Sequence, residues 1–203
     1  ISLDVGANLG LFTYFLSRYC PHVHAFEPNP IPFRILQHVA DRNVTLYQMA
    51  LTDHTQEVEL VVPKGRKGWS SNGAGLDRER DDGSGMATGV VKVPGSRIDD
   101  LGLDNIGFIK IDVEGHEKGV LAGATETLRR DRPNLFIENE FAHAGDAAAE
   151  VFSLLEGLDY RGFFLENGAL RSLSRFSVED HQIRPREGTG DGPYVKNFIF
   201  LPK

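Results

Sequence analysis

Residues 1–10, with the sequence ISLDVGANLG, decide the fold of this chain. The run up to Val5 is short and apolar, as in a buried strand, and it ends at a glycine. From Leu9 to Ser17 the apolar residues follow helical spacing, so the stretch predicts a strand, a turn and a helix. Gly6 and Gly10 allow the main chain to turn sharply and to approach a ligand without a Cβ in the way. Ligands of open α/β sheets bind at the carboxyl ends of the strands, which is where this turn lies.

The alternation of strand and helix continues along the chain. Further predicted strands are Val23–Phe26, Val44–Met49, Phe108–Val113, Leu135–Ile137, Gly162–Leu165 and Asn197–Leu201. Predicted helices are Ile31–Ala40, with Asn29 as its cap, Glu117–Arg130 and Gly145–Leu158. This order is typical of an α/β fold with a mostly parallel sheet of about seven strands and with helices on both faces. Residues 166–193, which are polar and contain several glycines, are predicted to be a loose connection.

One segment, at about 57–94, interrupts the alternation. Two short strand-like runs, Glu57–Val62 and Val90–Val93, flank a stretch rich in Gly, Ser, Asp and Arg. The pattern predicts a hairpin-like excursion with a mobile tip. A loop of this length inside a compact domain is either a functional lid or disordered. Trp69 slightly favours the lid, because an exposed indole often covers something, but a packing anchor explains it equally well.

The composition restricts the class of protein. The chain has 203 residues, which predicts one domain, and its net charge is −7, which argues against nucleic acid and anionic membranes as partners. Cys20 is the single cysteine of the sequence, so an intrachain disulfide is excluded and a reducing compartment is expected. No apolar run approaches the roughly 18 residues of a membrane span, and we expect a soluble, cytoplasmic protein. The chain opens at Ile1, inside a strand-like run and without Met, so we expect upstream residues to be missing.

The ligand of the first turn follows from three acidic or polar positions. The dinucleotide fingerprint needs glycines where the chain has Asn8 and Leu11, which argues against a nicotinamide-dependent oxidoreductase. Asp4, just before the turn, would repel a pyrophosphate but attract a cationic group. Glu27 closes the second strand 23 residues later, at the spacing of an acid that binds ribose hydroxyls. A nucleoside with a cationic amino-acid tail describes S-adenosylmethionine.

Five segments of the chain carry a resemblance to a known family. They are DVGANLG at residues 4–10, FEPNP at 26–30, ALTD at 50–53, FIKIDVEGHE at 108–117 and NFIFLP at 197–202. Together they resemble the FkbM family of S-adenosylmethionine-dependent methyltransferases. The block D-V-E-G-x-E, at residues 112–117, separates this family from other class I methyltransferases. The resemblance implies a Rossmann-like, seven-stranded sheet with one antiparallel strand near its edge. It also implies methyl transfer, usually to a hydroxyl oxygen.

The resemblance also implies which residues bind the cofactor. They are Asp4, Gly6, Asn8, Gly10, Glu27, Met49, Ala50 and Asp112. The glycines and the asparagine would shape the methionine side, with Asp4 near the ammonium group. Glu27 would hold the ribose. Met49 or Ala50, at the end of the third strand, would contact the adenine.

The candidate catalytic residues are Asp112, Glu114 and His116. Methylation of oxygen needs an acceptor aligned with the methyl–sulfur bond and a group that removes a proton. A carboxylate or His116 can take this proton, although an ordinary carboxylate is a weak base for an alcohol. Two structural interpretations stay open: the acids bond the backbone amides of the turn, or His116 points into solvent. Lys110 would lie on the same side as Asp112 and could pair with it.

A metal site is an alternative use of the residues at this edge of the sheet. Asp112, Glu138, Glu140 and His143 follow neighbouring strands and offer ligands that suit magnesium. Carboxylates at strand ends are common, however, and no tight ligand motif occurs, so we predict no metal. The acceptor is expected to be a small molecule, a sugar or a secondary metabolite, bound beneath the loop around residues 69–76. A binding domain that holds the cofactor without turnover is the remaining alternative.

Overall fold

The computed structural model of the protein describes residues 1–65, 68–69, 74–76, 88–141, 146–190 and 192–203. A large sheet holds eight strands: β1 (Ser2–Val5), β2 (Val23–Phe26), β3 (Val44–Tyr47), β8 (Phe108–Ile111), β9 (Asn134–Glu138), β10 (Tyr160–Glu166), β11 (Ala169–Ser172) and β12 (Asn197–Pro202). Their order is β11-β10-β12-β9-β8-β1-β2-β3. The five strands from β9 to β3 are parallel, which confirms the predicted α/β fold with a mostly parallel sheet.

The predicted count of seven strands is wrong, because the sheet has eight. The additional strand, β11, lies in the segment that was predicted to be a loose connection and pairs antiparallel with β10. Asn167 and Gly168 join the two strands with φ angles of 49° and 78°. Two left-handed residues in an Asn-Gly pair are the signature of a tight hairpin turn. β12 also runs antiparallel to its neighbours, so two strands oppose the parallel set.

Six α-helices accompany the sheet in the described residues. They are α1 (Leu11–Tyr19), α2 (Pro30–Val39), α3 (Glu117–Ala122), α4 (Thr125–Asp131), α5 (Asp146–Gly157) and α6 (Arg184–Glu187). The side chain of Asn29 accepts a hydrogen bond from the Ile31 N–H at 3.1 Å and so caps α2, as predicted. The predicted helix 117–130 is divided into α3 and α4 at Gly123. A Cβ on Gly123 would lie 2.0 Å from the Thr52 carbonyl oxygen, so the chain passes too closely for a side chain.

The helices lie on both faces of the sheet. The chain moves in opposite directions along the sheet from β1 to β3 and from β8 to β9, so right-handed crossovers place α1 and α2 opposite α3 and α4. The larger core lies on the α3 side, where Leu3, Ile109 and Leu135 pack against Leu128 and Leu155. A smaller cluster on the other side includes Ala7, Ala25 and Leu36.

The excursion forms a second sheet. Its strands are β4 (Ala50–Leu51), β5 (Glu57–Gly65), β6 (Gly68–Trp69) and β7 (Thr88–Ser96), in the order β4-β7-β5-β6. β5 and β7 pair antiparallel from Glu57 and Pro94 to Pro63 and Thr88. The predicted third strand, Val44–Met49, ends at Tyr47. After two residues outside any strand, Ala50 and Leu51 join β7 instead of the large sheet. Most of the predicted mobile tip, at 66–67, 70–73 and 77–87, lies outside the described residues, as does the side chain of Trp69.

Helix length and hydropathy bear on membrane insertion. Across the described ranges, none of the helices combines the length and the apolar character needed to cross a bilayer.

Phe198 offers a test of the register of β12. It is fully buried between β9 and β10, and its ring centroid lies 4.9 Å from those of Phe152 and Phe176. We expect Phe198→Ala to lower the free energy of unfolding by about 3–5 kcal/mol, because it leaves a cavity in the core. Urea unfolding followed by circular dichroism measures this change. Leu170→Ala, at a half-exposed position of β11, is the control, and an equally large loss there would contradict the assigned burial.

Candidate functional site

A cleft with a volume of ≈ 210 Å³ opens at the carboxyl ends of the parallel strands. Its lining comes from the ends of β1, β2, β8 and β9, from the segment around β4, and from the excursion. The lining residues are Val5, Gly6, Asn8, Phe26, Glu27, Pro28, Met49, Ala50, Leu51, Leu60, Ala74, Gly75, Leu76, Asp112, Val113, Glu114, His116, Glu138 and Lys196. The cleft therefore includes most of the predicted cofactor-binding residues and all three predicted catalytic residues.

The turn between β1 and α1 forms the floor of the cleft. Gly6 has a φ of 76°, and a Cβ there would lie 1.8 Å from the backbone oxygen of Asp112. Glycine is therefore required for the close approach of the two strand ends. The N–H groups of Gly6 and Ala7 both donate to the Phe26 carbonyl, at 3.0 and 2.9 Å. Asn8 continues the turn with a φ of 48° and lines the cleft.

Gly10, which the resemblance implies in cofactor binding, lies at the start of α1. It is the N-cap of α1 with a φ of 91°, and a Cβ there would lie 2.5 Å from the Leu36 Cδ1 atom. Gly10 is not among the residues that line the cleft. Its role in this structure is to let the start of α1 pack against α2.

Glu27 holds the turn in place from the end of β2. One carboxylate oxygen accepts the Asn8 N–H and the other accepts the Asn29 N–H, both at 2.8 Å. The residue is only 6% exposed, and desolvation by burial raises the pKa of Glu27 to about 7, against the opposing effect of these two hydrogen bonds. Each carboxylate oxygen can accept more than one hydrogen bond. Glu27 can therefore receive ribose hydroxyls while it holds the turn.

Asp4 lies behind the turn and not in the cleft. Its side chain is fully buried, accepts a 2.5 Å hydrogen bond from the Thr13 hydroxyl, and lies 3.3 Å from the Lys110 ammonium nitrogen. Asp4 is absent from the cleft lining, so the structure does not bring it to the place where a ligand ammonium group was predicted. The reason is the alternation of β1: Leu3 and Val5 face the larger core, and Asp4 faces α1.

Lys110 is the main site residue whose importance the sequence interpretation missed. It is 2% exposed, and its Nζ atom lies 2.7 Å from the Gly6 carbonyl oxygen and 3.4 Å from the Val5 carbonyl oxygen. It also lies 3.4 Å from a carboxylate oxygen of Asp112, which is the pairing that was considered possible. A lysine in an apolar strand opposite a buried aspartate was the available signal, because Asp4 and Lys110 are register partners.

Glu117 shapes the loop after β8 in the same way as Glu27 shapes the first turn. One of its carboxylate oxygens accepts the N–H groups of Val113 and Gly115, at 3.3 and 3.1 Å. Burial raises the pKa of Glu117 above its ordinary value. The loop needs this support because Glu114 and Gly115 both have positive φ angles, of 56° and 105°. Glu117, the last residue of the D-V-E-G-x-E block, thus bonds backbone amides of the loop.

Asp112 and His116 both reach the cleft. The Asp112 side chain is 31% exposed, and its N–H donates to the Val5 carbonyl at 3.1 Å. His116 is partly buried: its Nε2 atom lies 2.9 Å from the Thr52 hydroxyl, and its ring lies over Gly119. The interpretation of His116 as a solvent-exposed ring is wrong. Strand β8 ends at Ile111, two residues earlier than predicted, so Glu114 enters the cleft from the loop.

The opposite wall of the cleft is apolar. Met49 and Ala50 line it, together with Leu60 from β5 and with Ala74 and Leu76 from the excursion. The two excursion residues pack against a small core that contains Ala50 and Leu60. A flat apolar ring system would be excluded from water by this wall.

A charged group closes the end of the cleft near β9. The Lys196 ammonium nitrogen lies 2.8 Å from Glu138 and 3.7 Å from Glu140. The pKa of Glu138 is raised by desolvation and by the nearby Asp112 carboxylate. In the described ranges no three His, Cys, Asp or Glu side chains form a group that could hold a metal ion, and the alternative ligand His143 lies outside them. In this structure the two glutamates pair with a lysine.

Comparison with known sequences gives a family. The profile described as Methyltransferase FkbM domain matches residues 4–162. The 31-O-demethyl-FK506 methyltransferase FkbM of Streptomyces tacrolimicus is 32% identical over 221 residues, which cover 94% of this chain and 82% of that protein. The hexuronic acid methyltransferase AglP of Haloferax volcanii is 31% identical over 162 residues, which cover 75% of this chain and 59% of that protein.

Comparison with solved structures gives the fold. Methyltransferase FkbM from Methylobacillus flagellatus matches with a TM-score of 0.61 and 18% identity, covering 98% of this chain and 42% of that chain. Precorrin-6y C5,15-methyltransferase from Geobacter metallireducens matches with a TM-score of 0.51 and 13% identity, covering 100% of this chain and 78% of that chain. This chain thus spans less than half of the first of these proteins, and at these identities the likeness concerns the fold.

The raised pKa of Glu27 predicts a pH dependence of stability. Because burial raises this pKa from 4.5 to about 7, the folded protein binds a proton that the unfolded chain has already released between these values. The contribution of Glu27 to the free energy of unfolding is fully present below pH 4.5 and is lost as the pH rises through about 7. We expect the free energy of unfolding of the wild type, relative to Glu27→Gln, to fall by at most about 3 kcal/mol between about pH 4.5 and pH 8. Urea unfolding at several pH values measures this difference, and a difference that is constant or rises with pH would contradict the prediction.

Proposed function

Because the chain belongs to the methyltransferase FkbM domain family, we propose that it transfers a methyl group from S-adenosylmethionine to a hydroxyl oxygen of a small molecule. The acceptor class that we propose is a sugar or a secondary metabolite. The observation that carries the proposal is the contact between Glu27 and the glycine turn. The buried Glu27 carboxylate accepts a hydrogen bond from the Asn8 N–H and also lines the cleft.

The cofactor assignment is supported by the shape of the cleft. The turn at Gly6 exposes main chain to the ligand, Glu27 offers acceptor oxygens for the ribose, and Met49 and Ala50 offer apolar contact for the adenine. Gly6 and Asn8 line the methionine side in this assignment. Asp4 and Gly10 lie outside the cleft lining and support the turn, because Asp4 pairs with Lys110 and Gly10 packs against α2.

The charge of the cleft also favours this cofactor. Among the described lining residues four carry carboxylates, Glu27, Asp112, Glu114 and Glu138, and one, Lys196, carries a positive charge. An acidic cleft attracts a sulfonium and an ammonium group and repels the diphosphate of a nicotinamide cofactor. The same excess of acid, together with the net charge of −7, disfavours nucleic acid as the acceptor. The single cysteine, Cys20, fits a cytoplasmic place of action.

The names of two relatives guide the choice of acceptor. One is a 31-O-demethyl-FK506 methyltransferase, and the other is a hexuronic acid methyltransferase. Both names describe compounds that are small compared with a protein or a nucleic acid. In this chain we place the acceptor between Asp112, Glu138 and Lys196, and no longer beneath the loop around residues 69–76, because Ala74 and Leu76 of that loop belong to the apolar wall.

Methyl transfer requires two contributions from the side chains: they position the acceptor hydroxyl and remove its proton. The sulfonium of bound S-adenosylmethionine supplies an electrophilic methyl group. The protein would align the acceptor hydroxyl, which is the larger contribution to the rate, and accept its proton as the new bond forms. We assign the proton to Asp112, because it directly follows β8 next to the turn and its side chain is partly exposed in the cleft. Glu114 and His116 lie on the same loop and complete the surroundings of the acceptor.

Cofactor binding can be tested without knowing the acceptor. We expect S-adenosylmethionine and S-adenosylhomocysteine to bind in the micromolar range in calorimetry, and NAD not to bind. Glu27→Ala should weaken binding by about 1.5–3 kcal/mol, because it removes hydrogen bonds to a charged group. Glu126→Ala is the matched control, since that side chain is 74% exposed on α4 and lies outside the cleft. Comparable affinity for NAD would overturn the cofactor assignment.

Methyl transfer needs a second experiment. We expect the label of methyl-labelled S-adenosylmethionine to appear on a hydroxyl oxygen when the protein is incubated with a panel of glycosides and polyketides. With the acceptor so found, Asp112→Asn should lower turnover at least about a hundredfold and leave the cofactor affinity within about threefold, since the lost group acts in the transition state. Asp100→Asn, on the exposed surface, is the control. Cofactor binding without any transfer would favour the binding domain, and unfolding of Asp112→Asn would favour a structural role.

A further inference from the structure

A buried lysine joins the cofactor turn to the end of the catalytic strand. The Lys110 ammonium nitrogen contacts Gly6 and Val5 on one side and Asp112 on the other, with Asp4 beneath it. We propose that Lys110 is a positioning residue, which fixes the cofactor-binding turn and Asp112 relative to each other. The inference rests on the proposed function, because the turn is assigned to S-adenosylmethionine there.

Stability alone is a poor explanation for this lysine. Removing an ammonium group and a carboxylate from water costs several kcal/mol for each, and apolar residues at such a pair are often as stable or more stable. Lys110 is 2% exposed and Asp4 is fully buried, so this cost applies in full. The Lys110 ammonium also lies 5.3 Å from the centre of the Phe12 ring, which closes the site on the α1 side. An apolar pair in place of Lys110 and Asp4 would lack the contacts that the Lys110 ammonium makes to the backbone carbonyl groups.

The peptide group between Gly6 and Ala7 shows what these contacts do. Its carbonyl oxygen accepts from the Lys110 ammonium at 2.7 Å, while its N–H donates to the Phe26 carbonyl at 2.9 Å. The plane of this peptide is therefore held at both ends. A glycine at a φ of 76° has few steric limits of its own, so without the ammonium group the peptide is held by its N–H alone. The neighbouring Asn8 N–H, which donates to Glu27 at 2.8 Å, would then be less firmly positioned.

Asp112 is held by the same group. Its N–H donates to the Val5 carbonyl at 3.1 Å, and the Val5 oxygen lies 3.4 Å from the Lys110 ammonium. The ammonium also lies 3.4 Å from a side-chain oxygen of Asp112. Lys110 thus sets the distance between the cofactor turn and the carboxylate to which we assign the acceptor proton. An apolar residue at this position would leave the backbone hydrogen bond from Asp112 to Val5 but would hold neither the Gly6 carbonyl nor the Asp112 carboxylate.

The test uses S-adenosylhomocysteine as the probe and compares affinity with stability. In the double variant Asp4→Asn with Lys110→Met, both charges are removed together, so that no unpaired carboxylate stays buried. We expect this variant to be folded by circular dichroism and to bind the probe at least about tenfold more weakly than the wild type, because the contact to the Gly6 carbonyl is lost. Asp4→Asn alone keeps that contact and should bind at least about tenfold more tightly than the double variant.

A destabilised variant with an intact cleft distinguishes a loss of positioning from a loss of stability. Val151→Ala creates a cavity on α5, away from the cleft, and should lower the melting temperature. Its affinity for the probe, measured where it is folded, should stay within about threefold of the wild type, since only the folded fraction binds.

The outcomes distinguish the two proposals. If the wild type binds neither S-adenosylmethionine nor S-adenosylhomocysteine, the proposed function itself is overturned. With the wild type binding, equal affinity of the double variant would overturn the role of Lys110, as would an equal loss in Asp4→Asn alone. Lys110→Met alone provides a second variant, which should show the same loss of affinity in its folded fraction even if Asp4 lowers its stability.

Discussion

The structure depends on the close contact between the first turn and the end of β8. Gly6 lies so near the Asp112 carbonyl that a Cβ would overlap it, and the turn is then fixed from below by Lys110 and from the side by Glu27. Three neighbouring strand ends are thereby tied to one another through main-chain groups. Because these ties join protein groups to one another, they preorganise the cleft and reduce the entropy that binding must overcome.

Two buried glutamates organise the loops of the cleft in the same way. Glu27 accepts backbone N–H groups from the first turn, and Glu117 accepts them from the loop after β8. Both have a raised pKa because burial disfavours their charged form, so each carboxylate is held at an energetic cost. A loop supported by an acid of this kind keeps its positive φ angles without the sheet hydrogen bonds of a strand. The arrangement explains why Glu27 is at the end of a strand and Glu117 is at the start of a helix. From these positions each acid reaches the loop that it supports.

The sequence predicted the fold well and the site in part, and the reasons can be seen at particular residues. Apolar runs and glycine turns located the parallel strands, because these features are local. Gly123 could not be recognised as a helix break, since its reason is a contact with the distant Thr52 carbonyl. Asp4 was predicted to face the ligand although strand alternation turns it toward α1, and only the strand order reveals Lys110 as its partner. The Asn167-Gly168 turn was local and readable, and it was overlooked.

The two ends of the cleft are built by different means, and this has a consequence for specificity. The end to which we assign the cofactor uses main chain and buried acids of the parallel sheet, where a change at Gly6 or Glu27 disturbs the sheet edge itself. The end where we propose the acceptor uses the Glu138–Lys196 ion pair, whose members are 19% and 39% exposed and stand where β9 meets the antiparallel β12. Partly exposed pairs contribute little to stability, so substitutions there cost the fold little. On the proposed assignment, substitutions of this ion pair are therefore expected to change acceptor preference while the cofactor site is retained.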